Sequence, residues 1–392
     1  MVSGSEPASD EQAERAEAAE RAEPAEATWR APGRVNLIGE HTDYNDGFCL
    51  PMAIPQGCTA TVSALAEPVL EVISAQREAP VEIALDELRP GALTGEDQWA
   101  GYVAGVAWAI AERGHQLPGL SIAVDGDVPG GAGLSSSAAL ECSVVAALND
   151  GLGLGLDRSE LVALARQAEN DFVGAPTGGM DQLASIFGER NRVLLCDMRT
   201  LAVEPVPFDL DAAGLTLLVI DTKAPHQLTD GLYGERRSAC EEAARLLGVP
   251  ALRDLGLEEL AEAIDRLPDE TLRKRARHVI TENDRTLACA DLLRTGQLRQ
   301  IGPLLTASHA SMRDDFEITV PEVDLAVEVL LAFGAFGARM TGGGFGGCVI
   351  GLMEPAQARA GALAVVAAFA GRDYHEPASF SVTAAAGAHR LD

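Results

Sequence analysis

From Trp29 onward, short apolar runs alternate with stretches of helical period. Upstream of Trp29, bulky apolar residues are almost absent. Residues 31–37 predict an extended segment with a turn at Pro32 and Gly33. Weak alternation over 58–66, and the short runs 69–74 and 81–85, predict strands. Apolar positions at helical spacing predict a helix over 99–113, stopped by Gly114. A strand at 120–124 leads into a glycine- and serine-rich stretch at 129–137, and a small-residue and apolar run then continues to Leu148 as a helix. Residues 157–172 predict a helix opened by the capping pair Asp157 and Glu160. Further on, 215–221 reads as a buried strand, and 233–247 as a helix closed by Gly248. The stretch 254–298 reads as helical throughout, interrupted near Pro268. Residues 321–333 predict a helix with Pro321 in its first turn. A second glycine-rich stretch, 342–347, feeds a strand at 348–352, and 378–383 is the last strand.

No βα unit recurs at a fixed period, which excludes a TIM barrel or a propeller. Strands cluster early and helices dominate 233–333. This pattern predicts an α+β protein of two domains, with a boundary between 190 and 215. The first domain would cover 28–200 and the second 201–392, with a terminal strand free to return to the first. The length of 392 residues suits that division. Residues 1–27 consist mostly of Ala, Glu, Ser, Pro and Arg. They offer no apolar face to pack and predict a disordered acidic tail, with room only for a transient helix over 11–22.

Composition narrows the partners. Hydrophobic residues make up 47% of the chain but aromatics only 4%, so aliphatic side chains and alanine must fill the core. A formal net charge of -29 argues against a nucleic-acid partner. Seven cysteines without a CxxC pair argue against a disulfide framework or a structural zinc site. With no apolar leader and no long apolar run, the chain reads as a soluble cytoplasmic protein.

Two segments carry chemistry. The loop Gly130, Gly131, Ala132, Gly133, Leu134, Ser135, Ser136, Ser137 joins a strand to a helix. Glycines admit close backbone approach, and free N–H groups at a helix start suit phosphate. It matches neither a Walker A loop nor a dinucleotide fingerprint. On its own it reads equally as a phosphate cradle or as a serine-rich helix cap. The densest polar cluster runs from Arg34 to Asp46, with Glu40, His41, Asp43 and Asn45 close together. It suits a ligand with several hydroxyls. The alternatives are a capping loop or a metal loop, and it lacks EF-hand spacing.

The run GRVNLIGEHTDYNDG at 33–47 resembles the signature of galactokinases. The loop at 129–139 resembles the ATP loop of the wider GHMP kinase superfamily, and GGGFGGC at 342–348 resembles that superfamily's third motif. Segments 178–182, 221–226, 278–283 and 308–325 also resemble galactokinase segments. The resemblance spans about 29–385. It implies a two-domain fold with the active site in the interdomain cleft. The implied reaction is phosphoryl transfer from ATP to the C1 hydroxyl of α-D-galactose with Mg²⁺, the entry step of galactose catabolism. It further implies Asp181, in the GGMDQ turn, as base and Arg34 as its matching cation. Glu40, His41, Asp43, Gly179 and Tyr233 would hold the sugar, and Gly131–Ser137 would wrap the triphosphate. The ion would sit on Glu169 and one serine hydroxyl, with Ser136 favoured over Ser137. Gly343, Gly344 and Gly346 would pack nearby. Asn36 would either orient or brace, and His278 and His309 would be structural. His226 has a family counterpart without an assigned role. No nucleic acid, membrane or obligatory protein partner is expected. Two other readings stay open: a galactose sensor without turnover, disfavoured by the intact glycine-rich loop, and a kinase for a related sugar.

Overall fold

The computed structural model describes residues 26–175, 177–224 and 229–391. The chain enters along β1 (Ala27–Asn36) and continues through β2 (Phe48–Cys49), β3 (Pro51–Leu65), β4 (Val69–Ser74) and β5 (Val81–Ala84). α1 (Gly101–Glu112) and β6 (Gly119–Gly126) precede three helices, α2 (Ser136–Gly151), α3 (Arg158–Gln167) and α4 (Met180–Phe187). Strands β7 (Arg192–Asp197), β8 (Ala202–Pro207) and β9 (Thr216–Asp221) lead into a helical block. Its members are α5 (Thr229–Leu247), α6 (Leu260–Arg266), α7 (Glu270–Arg294), α8 (Gly302–Ser311) and α9 (Pro321–Ala332). The chain ends through β10 (Gly337–Thr341), β11 (Cys348–Met353), α10 (Pro355–Ala370), β12 (Ala378–Val382) and β13 (His389–Arg390).

The strands form a six-stranded sheet, β13-β1-β3-β6-β4-β5, a four-stranded sheet, β10-β11-β9-β12, and a small sheet, β2-β7-β8. The first packs Val62, Leu70 and Ile122 with the alanine- and valine-rich α1 and α2. The second shares a core with Phe316, Val323 and Leu330. A third cluster joins the halves: Leu37, Ile38 and Met52 meet Ile301, Leu305 and Ile350. All seven cysteines are free and buried. Among the described residues, no helix is long and apolar enough to cross a membrane.

Several local expectations change. Pro32 and Gly33 make no turn. β1 runs straight through them with a register shift between Pro32 and Arg34. The expected single helix over 157–172 is α3 followed by a π-helical turn, Ala168–Val173. The 254–298 region breaks at Pro268 as expected, but its helices start only at Leu260, and Asp269 caps the second by accepting from the N–H groups of Thr271 and Leu272. The ordered sheet starts at Ala27, inside the segment read as a tail, and Ala27 is buried. The strand at 378–383 belongs to the second sheet, whereas the short β13 pairs with β1 in the first.

Candidate active site

The register shift in β1 builds the site's centre. A Cβ on Gly33 would lie 2.6 Å from the carbonyl oxygen of Leu134, so glycine is what lets the glycine-rich loop dock there. The Arg34 N–H donates to that carbonyl at 3.0 Å. Docking sets the Arg34 side chain beneath the loop, where Nη1 donates to the Gly133 carbonyl at 2.6 Å. Nε and Nη2 donate to Oδ1 and Oδ2 of Asp181 at 2.7 and 2.9 Å, a bidentate pair. Ser135 also donates its hydroxyl to Asp181. Asp181 stands in the first turn of the helix α4, entered through Gly179 at φ 102°, and not in the turn expected from the sequence. Burial pulls the Arg34 guanidinium down, but Asp181 and then Glu40 outweigh it and hold it above its ordinary value.

The polar cluster lies against this pair. Glu40 Oε1 accepts from the Gly342 N–H at 2.8 Å, with the fully buried Arg339 3.6 Å away. Burial raises the Glu40 carboxyl, partly offset by Arg339 and Arg34. Asp43 Oδ2 accepts from the Gly178 N–H at 3.2 Å. Burial first, and then the neighbouring Asp181, push Asp43 up to about 6. Burial pushes His41 down to about 3, so its ring is neutral at pH 7. Its Nε2 lies 3.0 Å from the Gly343 carbonyl, which can only accept, so Nε2 carries the proton. Nδ1 then accepts from the Tyr44 hydroxyl at 2.8 Å. Both ring nitrogens are occupied within the protein. The ring thus fixes the Gly343 loop while His41 still lines the cavity. Tyr233 packs on it with centroids 5.0 Å apart.

Glu169 lies in the π-helical turn and is buried. Its Oε1 accepts from the Ser137 hydroxyl at 3.0 Å. Its Oε2 accepts from Thr177 Oγ1 and Gln182 Nε2, both at 2.7 Å. Burial raises its carboxyl above the ordinary range, and these donors work against that rise. The hydroxyl beside Glu169 is therefore that of Ser137. The Ser136 hydroxyl, favoured from the sequence, makes no such bond. Among the described residues no cluster of three or more His, Cys, Asp or Glu side chains stands ready for a metal. A buried carboxylate beside a hydroxyl nevertheless fits a hard cation that takes its other oxygens from phosphate and water.

These groups face one cavity of about 410 Å³. Of the residues expected from the sequence, Arg34, Glu40, His41, Asp43, Gly131, Gly133, Leu134, Ser135, Ser136, Ser137, Glu169, Gly179, Asp181 and Tyr233 all line it. Ala132 does not: its side chain is buried in the core that joins the halves. Gly343 lines the cavity, whereas Gly344 and Gly346 do not. His226 falls outside the described residues. A second cavity, of about 860 Å³, is lined by Arg77, Gln98, Trp99, Tyr102 and Val173 among others.

The sequence reading gave His278 a structural role but missed what it supports, and missed Glu282 and Asn283 beside it. One face of α7 carries His278, Glu282 and Asn283, all buried. His278 Nε2 donates to the Glu40 carbonyl at 3.1 Å, and its Nδ1 meets the Ser311 hydroxyl. Glu282 Oε1 accepts from the Gly39 N–H at 3.0 Å and from Ser308 Oγ at 2.6 Å. Asn283 Oδ1 accepts from the Phe48 N–H at 2.8 Å. A polar stripe at helical spacing was the available signal, but it reads equally as a solvated face.

Family profiles match the chain in three places: "GHMP kinases N terminal domain" at 101–189, "Galactokinase galactose-binding signature" at 17–64, and "GHMP kinases C terminal" at 289–371. The second match begins inside the segment read as a tail. The chain is 49% identical over 368 residues to a galactokinase of Streptomyces coelicolor, covering 93% of this chain and 94% of that one. It is 46% identical over 361 residues to a galactokinase of Mycobacterium tuberculosis, covering 92% and 98%. The crystal structure of Lactococcus lactis galactokinase complexed with galactose superposes with a TM-score of 0.88 at 33% identity, covering 97% of this chain and 99% of that one. The mevalonate kinase of Methanococcus jannaschii, at 17% identity and a TM-score of 0.63, shares the fold.

Proposed function

The chain belongs to the galactokinases of the GHMP kinase superfamily and carries out galactokinase-type phosphoryl transfer, and from that premise we propose how its cleft binds the substrates and which residues act on them. The observation that carries the reading is the bidentate Arg34–Asp181 pair, set between the glycine-rich loop and the carboxylates of Glu40 and Asp43.

Galactose sits over Glu40 and Asp43, whose carboxylate oxygens accept from its hydroxyls. Tyr233 and the Gly179 backbone close the pocket. The C1 hydroxyl points at Asp181, which orients it and takes its proton as the new P–O bond to the γ-phosphorus forms and the bond from that phosphorus to the bridging oxygen breaks, releasing ADP. Arg34 holds the Asp181 carboxylate in place through the bidentate pair and faces the charge of the transferring group. The triphosphate of ATP lies along Gly131–Ser137, where the first turn of α2 offers free N–H groups. Its base fits the second cavity, whose Trp99 and Tyr102 suit a flat aromatic ring. Glu169 and the Ser137 hydroxyl would hold Mg²⁺. When bound, the ion neutralises charge on the phosphates. Seven free thiols and the absence, among the described residues, of a membrane-spanning helix support a cytoplasmic setting.

The test is ATP-dependent phosphate transfer across a panel of hexoses, run on the wild type and on Asp181→Asn. Galactose is expected to lead the panel. The Asn variant is expected to bind both substrates while its turnover falls at least 100-fold, the scale of a lost general base. Turnover above about a tenth of wild type would remove Asp181 from the role of base. Preference for another hexose would shift the substrate.

A further inference from the structure

Behind Glu169 stands a second buried carboxyl that the reaction does not use. Glu141 lies on α2, one turn beyond Ser137 and on the same face, and is fully buried. Its Oε2 accepts from Gln182 Nε2 at 3.1 Å, and the same nitrogen donates to Glu169 Oε2 at 2.7 Å. Glu141 Oε1 and Gln182 Oε1 have no hydrogen-bond partner among the described residues. We propose that Glu141 is a positioning residue for the metal–nucleotide half of the cleft: through Gln182 it fixes the direction of the Glu169 carboxylate. The proposal rests on the reading of Glu169 as an ion ligand.

The chemistry lies in the amide. A primary amide nitrogen has two N–H groups, and here they serve two carboxyl groups at once. Rotating the amide by half a turn would bring its oxygen against Glu169 Oε2, which is repulsive. The amide is therefore locked in one orientation. With Gln182 and Thr177 both on Glu169 Oε2, Oε1 is the oxygen presented to Ser137. Without the Glu141 acceptor, half of the lock is gone: the second N–H has no partner, and the amide is free to swing off Glu169 Oε2. Burial, reinforced by Glu169, raises Glu141 well above the ordinary carboxyl range, and in either protonation state Oε2 offers the amide a lone pair. An oxygen stranded in the interior is costly, and a leucine would fill that space without one. The carboxyl gains its physical sense from the amide it holds.

The experiment is calorimetric binding of a non-hydrolysable ATP analogue to the full chain, with and without Mg²⁺, alongside galactose binding and thermal melting. Glu141→Leu is expected to weaken Mg²⁺-dependent nucleotide binding about tenfold or more, the usual size of an outer-shell loss. Metal-free nucleotide binding and galactose affinity should stay near wild type. Glu141→Gln, which keeps an acceptor for Gln182, should restore Mg²⁺-dependent binding. If Glu141→Leu does not fold, Gln182→Met must give the same split. Wild-type Mg²⁺ dependence in Glu141→Leu, or an equal loss of galactose affinity, would overturn the proposal. Glu169→Gln separates the two readings. If it leaves the Mg²⁺ dependence untouched, the ion site itself is misassigned. If it shifts that dependence and Glu141→Leu does not, only the positioning role falls.

Discussion

Asp43 carries a conflict that belongs to function. Its carboxyl is buried close to Asp181 and sits at about 6, above the ordinary 3.8. Between those values the folded, ligand-free protein holds a proton that the unfolded chain has released. Stability of the empty enzyme therefore falls as pH rises from about 4 to about 6 and stays lower above that. Each step of one in pKa is worth about 1.4 kcal/mol, so the charged, empty site costs the fold on the order of 3 kcal/mol. A sugar hydroxyl donating to the ionised form reverses the preference, so galactose should bind more tightly as pH rises through about 6. Asp43→Asn is expected to raise the melting temperature of the empty enzyme at pH 8 while weakening galactose at least tenfold. Calorimetry and melting curves from pH 4.5 to 8 check both. A galactose affinity flat across that range would sink the argument. At this scale the sequence was informative where chemistry is contiguous: Glu40 and Asp43 stand in one short run, and both line the cavity. It could not separate Ser136 from Ser137. That choice follows from Ser135, whose left-handed φ of 60° sets where the helix starts and hence which hydroxyl meets Glu169.

Elements were legible where periodicity is strong and hidden where two elements share one period. The π-helical turn after α3 keeps the apolar spacing of the helix before it, so its onset at Ala168 leaves no mark in the pattern. Its effect is local: it places Glu169 beside Ser137 and Thr177. α4 is short, and its glycine entry reads as a turn. β13 has two residues and no period at all. The second half's α7 was seen as a helix, but its role was not, because its buried polar face looks like a solvated one. That face grips the loop that carries Glu40 and Asp43. Arg285 and Arg339 outweigh the effect of burial on Glu282 and hold it down at about 2, so it is ionised throughout the working range. Glu282→Ala removes the acceptor of the Gly39 N–H and leaves Arg339 buried with less countercharge. A charge-assisted hydrogen bond is worth about 1.5–3 kcal/mol. The galactose KM should therefore rise at least tenfold while the ATP KM stays near wild type, with a lower melting temperature. Equal rises in both KM values would mean that α7 supports the whole cleft and not that loop alone.

Across the whole molecule, the two ends of the chain make opposite demands. Residues 1–25 have a composition with little to pack, and their removal is expected to leave melting and turnover unchanged. That cut must stop short of Ala27, which is buried in the first sheet, and of Trp29, whose Nε1 donates to Asp150 at 3.0 Å. The carboxyl end does the reverse. After β12 leaves the second sheet, the chain laces across the first half. The Ala385 N–H donates to Ala53, Gly387 to Gly188 at 2.7 Å, Ala388 to Ser185 at 2.8 Å, and Leu391 to Thr28, while the Ala384 carbonyl accepts from Asn191. Ser185 lies within α4 and Gly188 just beyond it, so this strap anchors the far end of the helix whose first turn bears Asp181 and Gln182. Each such bond contributes roughly 0.5–1.5 kcal/mol net, and together they amount to several kcal/mol. A chain ending at Thr383 should therefore melt several degrees lower. Its kcat should fall more than its galactose affinity, because a small shift of α4 misplaces Asp181, the proposed base, without touching Glu40 or Asp43. Thermal melting and steady-state kinetics of both truncations, measured side by side, decide the matter. Wild-type melting in the shortened carboxyl end would show that α4 is held by its own packing, and the strap would then have no part in placing Asp181.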